Sequence, residues 1–103
     1  MYTKDQINNI KTPQELAMLK VEIAVEIYKL YEELVEVKRI RREKFVFILA
    51  EVKNYNKALA EWKKTDAGFK EEVNELQIKG LSALTSSIQA RLDVMKQEKW
   101  NNY

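Results

Sequence analysis

The chain has 103 residues and a formal net charge of +2, with two glycines, one proline, and neither cysteine nor histidine. An average globular chain of this length carries about seven glycines and five prolines, so folds built on many tight turns are disfavoured and helices remain. Without imidazoles or thiols there can be no Ser-His or Cys-His triad, no Cys/His zinc site and no disulfide, so neither an enzyme nor a bound metal or cofactor is expected.

The first helix-start signal is Thr12-Pro13-Gln14-Glu15. Thr12 can cap, Pro13 sits where a missing N–H is harmless, and Glu15 completes a capping box. Residues 1–11 precede this start and are expected to fray. Met1-Tyr2-Thr3-Lys4-Asp5 lacks the apolar core of a signal peptide, and the longest apolar run, Phe45 to Ala50, is far short of the roughly 20 residues of a membrane span. A cytoplasmic protein without membrane contact is expected.

From residue 12, Leu16, Ile23, Leu30 and Val37 recur at seven-residue spacing, and Leu19, Ile27 and Leu34 interleave with them in a coiled-coil-like seam. Charge at Arg41 and Lys44 interrupts the stripe before it resumes at Phe45, Ile48, Val52, Tyr55, Leu59 and Trp62, which predicts one long helix over 12–53. Asn54-Tyr55-Asn56 can interrupt and re-cap, giving a connector helix over 56–64. Thr65-Asp66-Ala67-Gly68 is a stronger break, with Asp66 as the cap of a second long helix over 66–99. The stripe of that helix reads Phe69, Val73, Leu76, Gly80, Leu84, Ile88, Leu92 and Met95, with Leu81 beside it. Gly80 marks either a close approach of a neighbouring helix or a tolerated substitution. Residues 100–103 form a tail, in which Trp100 is an anchor or part of a partner-binding arm.

These elements predict a single all-α domain: an antiparallel, coiled-coil-like helical hairpin of two long helices with a short helical connector. A 40-residue helix is about 60 Å long, more than one partner helix can cover. Ile27, Tyr28, Leu30, Tyr31, Leu34 and Val35 span more than one stripe, so they are the expected oligomer or partner interface of a homo-oligomer.

Charge is unevenly distributed. Residues 1–37 sum to −3, residues 38–70 to +6 and residues 71–103 to −1. Lys38, Arg39, Arg41, Arg42 and Lys44 place five cations within seven residues, with Lys53 beyond them. A helix carrying such a belt can track phosphates, since each one neutralised releases counterions, and Phe47, Tyr55 or Trp62 could stack bases. The alternative is a solvated helix face paired with acidic residues of a neighbouring subunit. Glu32, Glu33 and Glu36 read as an exposed helix face. Ser82, Thr85, Ser86 and Ser87 read as close helix packing or a wet face, since no glycine-rich loop accompanies them.

The stretch from Arg41-Arg42-Glu43-Lys44-Phe45, through Lys57-Ala58-Leu59-Ala60-Glu61-Trp62, to Ile88-Gln89-Ala90-Arg91-Leu92-Asp93-Val94 resembles a family of small helical proteins encoded by tailed phages. It covers about residues 25–99 and is distantly similar in layout to phage recombination mediators. Those are ring-forming helical proteins that bind single-stranded DNA and help load the recombinase. The resemblance implies an oligomeric, ATP-independent accessory protein in the host cytoplasm, binding single-stranded DNA and meeting a recombination or replication protein. On the residues alone, the expected nucleic-acid contacts are Lys38, Arg39, Arg41, Arg42, Lys44 and Lys53. A second expectation is a phage interaction protein that engages a host or phage protein through Tyr28, Tyr31, Phe47, Tyr55 and Trp62, with no nucleic-acid role. A structural coiled-coil component is a third.

Overall fold

A computed structural model describes residues 2–101 in backbone and residues 2–98 in side chains. Among the described residues there are four helices and no strand: α1 (Lys4–Asn9), α2 (Pro13–Val52), α3 (Tyr55–Lys64) and α4 (Asp66–Asn101). The all-α expectation holds, with two long helices and a short one between them. Helix α4 runs through Asn101, so the first residues of the predicted tail are helical. Asn102, Tyr103 and the side chain of Trp100 lie outside the described residues.

The frayed N-terminus is corrected. Thr3 caps α1, its hydroxyl accepting from Gln6 N at 3.1 Å, and Ile7 is only 1% exposed. Thr3-x-x-Gln6 has the spacing of a capping box, and Ile7 supplies an apolar anchor for an otherwise polar turn. Further on, Thr12 caps α2 as its sequence indicates, accepting from Glu15 N at 3.3 Å.

Helix α2 ends because Lys53 takes a left-handed conformation, φ 58°, its N–H still bonded to Leu49 O at 2.8 Å. This is the αL way of closing a helix, borne here by lysine instead of glycine or asparagine. Asn54 is extended and caps α3, its side chain accepting from Lys57 N at 3.0 Å. Asp66 is not a cap. Thr65 serves both flanking helices: its Oγ1 donates to Trp62 O at 2.6 Å and accepts from Gly68 N at 3.0 Å. Gly68 thus lies inside the first turn of α4. Any Cβ there would run into the Trp62 carbonyl, so glycine is needed for close approach of α4 to the end of α3. A Cβ at Gly80 would meet nothing within 4 Å, so that glycine is the tolerated kind.

The chain divides into two compact units. Unit 1 comprises Met1–Tyr28 and Lys79–Tyr103. Its core is Ile7, Leu16, Leu19, Ile23 and Ile88, flanked by Ile27, Leu81, Leu84, Leu92 and Met95. The spacing of three and four on both long helices is what one buried face of an α-helix requires. Thr85, Ser86 and Ser87 turn their hydroxyls back onto the carbonyls of Leu81, Ser82 and Ala83, so these small polar residues are satisfied within α4.

Unit 2, Lys29–Ile78, is a helical hairpin made of the second part of α2, all of α3 and the first part of α4. Lys38 meets Glu75 while Arg41 meets Glu71, so ascending numbers on α2 pair with descending numbers on α4 and the two run antiparallel. Leu34, Val37, Ala58, Trp62 and Ile78 are buried. The predicted α4 stripe is corrected here: Phe69 and Leu76 are exposed, while Glu71 and Asn74 are buried in their place. The inward face of this segment is therefore partly polar, a pattern that apolar periodicity cannot detect.

Candidate functional site

The six cations of the predicted belt all lie in unit 2, but the fold disperses them. Lys38 faces Glu75 at 3.3 Å, both side chains about half exposed. Arg39 holds Glu36 and Glu43 on its own helix, the latter at 2.8 Å. The hydrogen bond from Arg39, and then its charge, keep the Glu36 carboxyl below the usual carboxylate range. Arg41 turns inward and binds Glu71 at 2.9 Å. Arg42, Lys44 and Lys53 are exposed and have no carboxylate within 4.0 Å among the described residues.

Helical rotation divides them further. Two residues apart means about 200° of turn, so Arg42 and Lys44 project to opposite sides of α2. Lys38, Arg41, Arg42, Phe45 and Val46 line one shallow open hollow. Within it the Arg41 guanidinium lies 5.4 Å from the Phe45 ring centre, and Tyr55 meets Phe45 edge to face at 5.7 Å. Of the candidate stacking residues, Phe47 is 73% exposed and Tyr55 is exposed, whereas Trp62 is buried in the core.

Arg39 is quenched on its own helix, whereas the acids that quench Lys38 and Arg41 come from beyond the basic segment. Glu71 and Glu75 start the negative third of the chain, and antiparallel folding lays them on Arg41 and Lys38. Over the whole of unit 2, eleven Lys and Arg face ten Asp and Glu, a net of +1 against the +6 of residues 38–70. The reversed order of charge in the two segments was the available signal.

The predicted interface residues separate as well. Leu34 is buried in unit 2, and Ile27 packs against the core of unit 1. Leu30 is half-buried, and Tyr28, Tyr31 and Val35 are exposed. Sequence reasoning passed over Met18, Val21 and Val25, which are also exposed. Among the described residues, no helix is long and apolar enough to cross a membrane.

No protein family, curated protein or solved structure matches the chain.

Proposed function

We propose that the protein is a homo-oligomeric, non-enzymatic accessory protein that binds single-stranded DNA weakly per copy, in the manner of the phage mediators it resembles. The observation carrying this reading is that Arg42, Lys44 and Lys53 stay exposed and unpaired among the described residues, on more than one side of the helix, and that the rings of Phe47 and Tyr55 are exposed in the same unit. Free cations give the phosphate backbone its contacts, and exposed rings give bases a sequence-tolerant platform. Lys38 and Arg39 can add to this, because exposed ion pairs contribute little and exchange readily for phosphate. Arg41 is part-buried and held by the buried Glu71, and is withdrawn from the contact set. With Arg42 and Lys44 on opposite sides of α2, three phosphates per copy is the most these free cations can neutralise on a single strand, a salt slope of at most about 2, so affinity falls by no more than about 20-fold between 50 and 200 mM salt. Several copies on one strand are needed to make such a site useful.

The test is fluorescence anisotropy of a labelled single-stranded oligonucleotide at low salt. The double substitution Arg42→Glu and Lys44→Glu should abolish binding with helicity intact by circular dichroism. Binding by that variant equal to the unsubstituted protein, or none by either, overturns the reading. Arg41→Glu would set a like charge against Glu71 and is unsuited to the purpose.

A second reading, a module that engages a host or phage protein, is favoured by one observation. Tyr28, Tyr31, Phe47 and Tyr55 all remain half to three-quarters exposed, outside either core. Recovery of one defined protein on the immobilised chain after nuclease treatment, lost on Phe47→Ser, would select it over DNA binding.

A further inference from the structure

Helix α2 carries two apolar faces within unit 1. Leu16, Leu19, Ile23 and Ile27 point into the core. Met18, Val21, Val25 and Tyr28 recur at spacings of three, four and three on the opposite side, and each is between 50% and 67% exposed. That is the a/d register of a coiled-coil seam, repeated out of phase with the buried one. Ala17 and Ala24 border the seam on one side, and small residues there allow a second helix to approach closely.

We infer that this face is where a second copy of the chain docks, α2 against α2 in antiparallel orientation about a two-fold axis level with Ile23. This rests on the oligomer proposed above and names its surface. The antiparallel register is self-complementary: Met18 lies opposite Tyr28 of the other copy, and Val21 opposite Val25. The ends are then sulfur-aromatic contacts and the centre is β-branched packing, so each copy supplies both halves of every layer. Four such side chains present roughly 450 Å² per copy, so a pair buries at most about 900 Å² through the seam alone and approaches the floor of about 1,000 Å² for a specific interface as the bordering residues join it. The seam itself carries no charge, and Glu22 is the one acid beside its centre. A partner chosen by charge would have little to read there, whereas the chain's own apolar seam fits it.

The experiment is light scattering on the full chain over a range of concentrations, with the variant Val21→Asp/Val25→Asp. The unsubstituted protein should have at least the dimer mass and the variant half of it or less, with helicity retained because neither residue touches the core. A monomeric unsubstituted protein overturns the oligomer itself. An oligomer whose mass the double substitution leaves unchanged overturns this surface alone. The chain is free of cysteine, so orientation can be read by mixing Val21→Cys and Val25→Cys proteins under oxidation. Antiparallel docking gives the mixed disulfide in preference to either homodisulfide; preference for the homodisulfides overturns the antiparallel arrangement.

Discussion

The Arg41 guanidinium binds the Glu71 carboxylate at 2.9 Å across 30 residues of chain, and the same carboxylate oxygen accepts from Trp62 Nε1 at 3.4 Å. One acid on α4 thereby ties α2 and α3 together inside unit 2. Its second oxygen is buried without a protein partner, as is Asn74 Nδ2 one turn further on. Removing one member of such a pair leaves the other charge poorly solvated, while removing both need not. Glu71→Ala should therefore cost about 2 to 3 kcal/mol in urea denaturation. Arg41→Met combined with Glu71→Leu should recover most of that loss. A double variant as unstable as Glu71→Ala alone would show that this contact does not behave as a coupled pair.

The two glycines of α4 should respond to alanine with opposite signs. At Gly68 a Cβ meets the backbone carbonyl of Trp62, which no side-chain rotation can relieve. Gly68→Ala should cost about 2 kcal/mol or more, by forcing α4 away from α3 and disturbing the Thr65 double cap. At Gly80 the space is open, so Gly80→Ala should stabilise by about 1 kcal/mol through helix propensity alone. Thermal melts of both single variants check the pair, and a loss at Gly80 would mean that its open space is filled by a partner.

Much of the helical layout was legible because its boundaries are written in local chemistry. Thr12 and Asn54 cap where their neighbours said they should, and Leu16, Leu19, Ile23 and Ile88 keep the helical period that buries them. What escaped depends on contacts distant in sequence. The interior position of Glu71 requires Arg41 to stand opposite it, and the loss of the basic belt requires Glu71 and Glu75 to fold back onto it. Thr65 outcompeted Asp66 as a cap because its hydroxyl can donate to α3 while accepting from α4, which a carboxylate cannot do. The second apolar seam on α2, through Met18, Val21 and Val25, escaped as well, because it keeps the same helical spacing as the buried one and only the core tells which of two seams faces outward.

Helix α1 is six residues long, too short to be stable alone, so packing must hold it. Ile7 is the anchor, fully buried against Leu16, Leu19, Ile23 and Ile88. Ile7→Ala should cost about 3 kcal/mol and release α1, since a short helix loses its docking together with the buried side chain. Hydrogen exchange should then show amides of residues 4–9 exchanging as if unfolded while those around Ile88 keep their order of protection. Protected α1 amides in that variant would mean that the Thr3 cap alone suffices.

Glu36 and Arg39 give a pH signature that reports the belt directly. The guanidinium first hydrogen-bonds the Glu36 carboxylate and then attracts its charge, so the folded titration midpoint lies below the ordinary value of 4.5. For a depressed carboxyl the favourable contact is present above the unfolded midpoint and fades as pH falls through the folded one. Both side chains are more than half exposed, so the effect on overall stability is slight and the titration itself is the better measure. Carbon-detected NMR of the Glu36 carboxyl should show its midpoint rising toward the ordinary value in Arg39→Ala. Adding single-stranded DNA to the unsubstituted protein should move it the same way if phosphate competes for Arg39. A midpoint that rises in Arg39→Ala but stays still on saturation with DNA would remove Arg39 from the nucleic-acid contacts and leave that role to Arg42, Lys44 and Lys53.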